Sequence, residues 1–99
     1  MKFVISRRAR RQIDRIDAWW TSNRPSAQSR FLDELDRAER LLRDNPELGL
    51  VSKVHRSGDI RRLLLPETEN YVFYRYRSNR NEITVIEVWG APRGRGPRL

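Results

Sequence analysis

Apolar positions follow a helical period in the first half of the chain and an alternating one in the second. Ala9, Ile13, Ile16 and Trp20 recur at spacings of four, three and four, one stripe of an amphipathic helix. Ser6 stands where such a helix takes its N-cap, and Lys2 to Ile5 before it reads as a short strand. The helix ends near Asn23, and Pro25 suits the first position of a second helix. Ala27, Phe31, Leu35, Ala38 and Leu42 continue the helical spacing, with Leu32 and Leu41 widening the stripe. Asn45-Pro46 stops that helix, because proline disfavours helical backbone in the residue before it. Beyond Gly49 the pattern alternates. Ile60 to Leu65, Tyr71 to Arg77 and Ile83 to Trp89 read as three strands. Pro66 to Asn70 and Ser78 to Asn81 are the turns between them. The predicted order is β-α-α-β-β-β, an α+β fold. A helical hairpin buries its stripe on one face of a small, mainly antiparallel sheet and leaves the other face or an edge open.

Ninety-nine residues make one domain, taken as residues 1–91, followed by a basic, flexible tail over residues 92–99 rich in glycine, proline and arginine. The chain has no cysteine, which removes disulfides, zinc-thiolate sites and thiol nucleophiles. No apolar run approaches the roughly 20 residues of a membrane span, and Arg7, Arg8, Arg10 and Arg11 interrupt any signal-peptide pattern. These features lead to the expectation of a cytoplasmic protein with no membrane association.

Charge adds a partner class. The 21 basic and 13 acidic residues leave a net +8, which favours encounter with an anionic macromolecule. Only two of the cations, Lys2 and Lys53, are lysine. The arginines carry planar forks suited to carboxylate or phosphate. Residues 25–50 alone are net acidic, and there Asp33–Arg37, Asp36–Arg40 and Glu39–Arg43 fall four apart, acid first, the stabilising order on a helix face. Arg7, Arg8, Arg10 and Arg11 crowd the start of the first helix, where the dipole disfavours cations, so contact with an anionic partner is one reading of them.

The 71–77 strand carries the most distinctive chemistry. Alternation places Tyr71, Phe73, Arg75 and Arg77 on one face and Val72, Tyr74 and Tyr76 on the other. Rings beside guanidinium groups stack on flat groups and pair with anions. Arg61 and Arg62 point to opposite faces of the neighbouring strand, and Arg93, Arg95 and Arg98 extend the cationic series into the tail. Adjacent Trp19 and Trp20 cannot both lie on the core stripe, so one faces a flank that a partner can cover. His55, the single histidine, lies in a polar loop with no second histidine or cysteine to share a metal. No metal or cofactor is expected.

Several strings, in this order, resemble one known group. They are Ile-Asp-Ala-Trp-Trp at 16–20, Asn-Arg-Pro-Ser-Ala-Gln-Ser-Arg-Phe-Leu-Asp-Glu-Leu at 23–35 and Asn-Pro-Glu-Leu-Gly at 45–49. Arg-Arg-Leu-Leu-Leu at 61–65, Tyr-Val-Phe-Tyr-Arg at 71–75 and Val-Ile-Glu-Val-Trp-Gly at 85–90 follow. Together they resemble the RelE/ParE superfamily of type II toxin–antitoxin toxins, across nearly the whole chain. The resemblance implies a helical hairpin on an antiparallel sheet and a small toxin, of the kind linked to plasmid stabilization. It also implies neutralisation by a cognate acidic antitoxin, ParD-like in the ParE branch, whose C-terminal segment wraps the toxin. Two targets follow from it: RelE-like members cut messenger RNA on the ribosome, and ParE-like members inhibit DNA gyrase by binding.

The chain departs from the ribonuclease pattern. Where many RNA-cleaving relatives carry an arginine three residues before the strand tyrosine, this chain has Tyr71. Where many carry a histidine or a lysine–arginine pair after the last strand, it has Gly90, Ala91 and Pro92, with Arg93 the first cation. Cleavage would rest on Tyr71, Arg75, Arg77 and Arg93, and arginine is a poor base. The ParE-like reading is therefore favoured. It takes Arg61, Arg62, Tyr71, Arg75, Arg77 and Arg93 as target-binding residues and Ile13, Ile16, Trp19 and Trp20 as antitoxin-binding residues. A ribosome-dependent endoribonuclease and a small RNA-binding module with a base-stacking strand stand as alternatives. The β-α-α-β-β-β order argues against an RRM.

Overall fold

The computed structural model describes residues 1–90. The order is β1 (Lys2–Ile5), α1 (Arg7–Asn23), a 3₁₀ turn at Pro25–Ala27, α2 (Arg30–Asp44), β2 (Leu50–Lys53), β3 (Ile60–Leu65), β4 (Asn70–Arg77), a 3₁₀ turn at Ser78–Arg80, and β5 (Glu82–Gly90). The strands form one sheet in the order β1-β5-β4-β3-β2, antiparallel except for the parallel β1–β5 pair. The expected α+β fold is therefore present, with one short edge strand, β2, that periodicity did not signal. Its four residues are all exposed, so they carry no in-out alternation to read. Among the described residues no helix is long and apolar enough to cross a membrane.

Local chemistry accounts for the element boundaries. Ser6 caps α1 by accepting the Ala9 N–H at 3.1 Å. Pro25 does not begin α2: it opens the separate 3₁₀ turn, and α2 starts at Arg30. The stripe of α2 is narrower than its sequence suggested. Phe31, Ala38 and Leu42 are buried, but Leu32 and Leu41 face solvent. Of the three ion pairs expected on α2, Asp36–Arg40 and Glu39–Arg43 form, whereas Arg37 turns away from Asp33 to Glu67 beyond β3.

One core joins the layers. Ala9 and Ile13 of α1 and Phe31, Ala38 and Leu42 of α2 pack on Leu65, Val72, Tyr74, Ile83, Val85 and Val88. Tyr74 lies fully buried within it, and its hydroxyl donates to the Pro46 carbonyl at 2.8 Å and accepts the Gly49 N–H at 2.9 Å. That pair of bonds ties the loop after α2 to the middle of the sheet. A β-carbon on Gly49 would lie 2.8 Å from the Tyr74 ring and from the Arg62 carbonyl, so only glycine allows the approach.

Buried carboxylates make two further ties. Glu34, within the apolar stripe of α2, accepts the Glu67 and Thr68 N–H groups and the Thr68 hydroxyl, closing the β3–β4 turn in which Glu69 takes φ 57°. Glu87 lies at the edge of β5, where β1 has ended. Gln12 of α1 takes the place of the missing strand there: its carbonyl accepts the Val88 N–H at 2.7 Å and its amide donates to Glu87.

Tyr74→Phe removes both hydroxyl bonds. It should cost about 1–2 kcal/mol in urea unfolding, because it strands a buried N–H and weakens the Pro46 tie. Burial raises the Tyr74 pKa above the usual 10.0, although the Gly49 N–H and Arg61 oppose the shift. A raised folded pKa means that the unfolded chain loses its proton first. The contribution is intact below the usual tyrosine value and is lost as pH rises past it. The stability gap between wild type and Tyr74→Phe should therefore narrow above pH 10.0 in a pH series of unfolding curves.

Candidate functional site

With the helices on one face, the register lays out the other. Phe73 pairs with Arg62 and Glu87, Tyr71 with Leu64 and Trp89, Arg75 with Ile60 and Thr84, and Arg77 with Glu82. Directly paired residues share a face. A bulge in β5 between the partners of Phe73 and Tyr74 keeps both faces aligned. Tyr71, Arg75 and Arg77 therefore stand together on the face away from the helices, as their alternation predicted, and the register adds Arg62 to them. The Arg62 guanidinium sits 5.2 Å from the Tyr71 ring centre, and the Tyr71 and Phe73 rings are 6.0 Å apart. Phe73 itself is buried, so the face presents the polar ends of this cluster.

The guanidinium groups are held in place and keep donors free. Arg75 donates Nε to the Gly58 carbonyl and Arg77 donates Nε to the Ser57 carbonyl, each at 3.1 Å. These bonds pin the β2–β3 loop against β4 and leave the outer nitrogens of Arg75 for a partner. Arg77 also lies 3.8 Å from Glu82, a loose pair that Lys2 shares at the same distance. The other carboxylate on this face, Glu87, is buried and takes Arg8 Nε at 3.0 Å besides the Gln12 amide.

Arg61 does not join the face. It points to the helix side and donates to the Glu47 and Gly49 carbonyls at 3.0 and 2.9 Å, holding the loop before β2. Arg93 lies outside the described residues, as do Arg95, Arg98 and the proposed tail. The crowded arginines at the start of α1 divide: Arg8 serves Glu87, while Arg7 and Arg11 are exposed and have no bonded partner among the described residues.

A second candidate surface lies where the C-terminal half of α1 meets the end of the sheet. A groove of about 600 Å³ runs between Ile16, Trp19 and Trp20 on one side and Val88 and Trp89 on the other, with Arg15 and Arg24, and Glu67 and Glu69, also in its lining. The two tryptophans of α1 meet edge to face at 5.4 Å, and Trp19 is half exposed. Trp19 thus faces the flank, whereas Ile16 and Trp20 line the groove and also pack against the core. Ile13 does not line it: it is 1 % exposed, within the core, and cannot reach a partner. Arg15 and Trp89 were missed as groove residues. The four-residue step from Arg15 to Trp19 was a usable signal, whereas Trp89 reaches the groove only through the sheet register.

Comparison with known proteins agrees with this architecture. The chain matches the family described as ParE toxin of type II toxin–antitoxin system, parDE, over residues 3–93. A solved structure of the chromosomal ParDE TA system from P. aeruginosa superposes with a TM-score of 0.70. It covers 91 % of this chain and 95 % of that one at 16 % sequence identity, a likeness of fold. No curated protein gives a match.

Arg8→Ala leaves the Glu87 carboxylate buried with the Gln12 amide as its remaining side-chain donor. Chemical denaturation should show a loss of about 1–3 kcal/mol. Arg7→Ala, one residue away and exposed, should stay within about 0.5 kcal/mol of wild type.

Proposed function

The chain belongs to the ParE toxin family of type II toxin–antitoxin systems, and from that premise we propose that it inhibits DNA gyrase by binding and is held silent by a cognate acidic, ParD-like antitoxin in the cytoplasm. The observation that carries the reading is the face bearing Arg62, Tyr71, Arg75 and Arg77. It offers rings and fixed guanidinium donors, the chemistry of a binding surface for anionic or planar groups.

The same face is poorly arranged for cutting RNA through a 2′-hydroxyl. That reaction needs an accessible base beside the cation that stabilises the phosphorane. Glu87 is buried under Gln12 and Arg8, and Glu82 lies between Lys2 and Arg77. His55 is in the β2–β3 loop, its Nδ1 engaged by Ser57. Tyr71 is stacked under Arg62, where a cation stabilises its ring without supplying a base.

The groove beside α1 suits the antitoxin. Its apolar walls can take spaced aliphatic or aromatic anchors, and Arg15 and Arg24 can pair with acids on either side of them. This arrangement separates the two interactions: the antitoxin covers the α1 flank, and the target meets the sheet face.

Purified toxin added to gyrase should block supercoiling or trap cleaved DNA, and an Arg62→Ala/Arg75→Ala variant should need at least tenfold more protein for the same effect. Normal supercoiling at high toxin excess would overturn the gyrase reading. New 5′ ends in translated messages after induction, mapped by primer extension, would replace it with the ribonuclease one. In cells, Trp19→Glu should leave toxicity intact while the co-expressed antitoxin no longer rescues growth. Full rescue would place the antitoxin elsewhere.

A further inference from the structure

A third surface lies at the end of the sheet opposite the tryptophan groove. The β2–β3 loop and the β4–β5 turn enclose a cleft of about 480 Å³ lined by Arg56, Ser57, Gly58, Tyr76, Arg77, Ser78, Asn79 and Arg80. Three of these are arginines and three carry hydroxyl groups. The cleft contains no carboxylate among its lining residues.

Its walls are built rather than incidental. The loop is closed on itself: the His55 N–H donates to Asp59, the Gly58 N–H to the His55 carbonyl, and the Ser57 N–H to His55 Nδ1. Gly58 takes φ 120°, and a β-carbon there would lie 3.0 Å from both the Arg75 side chain and the Tyr76 carbonyl. Glycine is thus required for the loop to lie this close to β4. Arg77, fixed through Nε to Ser57, forms the floor. Across from it, the turn is set by Asn81 in the left-handed region at φ 47°, with its N–H bonded to the Ser78 carbonyl.

Arg56 and Arg80 flank this floor, both exposed and neither with a bonded partner among the described residues. The acids near it are already used. Asp59 accepts a backbone N–H, and Glu82 sits 3.8 Å from both Arg77 and Lys2. Two unpaired guanidinium forks and a fixed third line one cleft with the hydroxyls of Ser57, Tyr76 and Ser78 and the Asn79 amide, enough donors from separate residues to take the several oxygens of a phosphate. The cleft is open to solvent, so a charge carried on a chain can enter it.

We infer that this cleft grips the phosphodiester backbone of a nucleic acid, a contact that adjoins the sheet face through Arg77 and lies apart from the antitoxin groove. Arg56 and Arg80 belong to neither of those surfaces, so the site stands or falls independently of the gyrase reading. Backbone contacts of this kind position a protein without reading sequence.

The test uses the full chain and no gyrase. Binding to a labelled 20-base-pair duplex of mixed sequence and to a single-stranded RNA of equal length is followed by fluorescence anisotropy across a salt series. Arg56→Gln/Arg80→Gln should weaken binding at least tenfold. It should also lower the logarithmic salt slope by about 2 on duplex DNA, since each phosphate contact contributes about 0.9. Arg7→Gln/Arg11→Gln, with the same change of net charge at exposed positions on α1, should change affinity less than threefold. The duplex and RNA arms identify which backbone is preferred. In the native protein, the amide resonances of Ser57, Gly58, Ser78 and Asn79 should shift on adding the duplex. Equal losses in the two double variants would reduce the effect to net charge and overturn the site. So would absence of nucleic-acid binding at low salt. Preferential loss of poly-glutamate binding in Arg56→Gln/Arg80→Gln would reassign the cleft to an acidic protein.

Discussion

One helical hairpin can bury only one face of a sheet, and the organisation of this chain follows from that constraint. Strands β3, β4 and β5 alternate side chains across the sheet, and α1 and α2 take the face carrying Leu65, Val72, Tyr74, Ile83, Val85 and Val88. Each residue of opposite parity must then stand away from the helices. Arg62, Tyr71, Arg75 and Arg77 are brought together because the backbone period leaves them no other side. The bulge in β5 preserves that parity against β4, so Glu87 meets Phe73 rather than sliding into the core.

Polar ties hold this arrangement where apolar packing stops. Tyr74 fixes the loop after α2 through two hydroxyl bonds. Glu34 fixes the β3–β4 turn, and Gln12 and Arg8 close the edge of β5 around Glu87. Apart from the exposed Arg8, these groups are buried or partly buried, and among the described residues no buried side-chain polar atom lacks a partner. Their role is positional: each joins a loop or edge to the packed layers, and the faces that remain can then carry charge without distorting the core.

Three surfaces result, each with its own chemistry. The sheet face offers rings and held guanidinium groups, the α1 flank offers a tryptophan-lined groove with charged residues of both signs, and the far end of the sheet offers a hydroxyl-lined cationic cleft. On the reading proposed above, a small toxin that engages a large target and is also silenced uses different surfaces for the two tasks. The fold is compatible with that reading because the two ends and the open face of one sheet point in different directions.

Much of this was readable before any coordinates. The helical stripes, the Ser6 cap, the Pro46 stop and the parity of residues 71–77 follow from local sterics and from the periods of helix and strand, which act over a few residues. The family strings and the net positive charge were equally local or additive properties. Tertiary structure decided what depends on distant neighbours. The hairpin left Leu32 and Leu41 in water although they fall beside the stripe of α2. Pairing with β3 made a strand of Leu50–Lys53, whose own pattern is featureless. Arg61 was spent on loop carbonyls, while Arg56 and Arg80, with 23 residues between them in sequence, came to line one cleft. Periodicity determines which side of an element a residue faces. What lies opposite it is set by chain segments far away in sequence, and no local pattern encodes that.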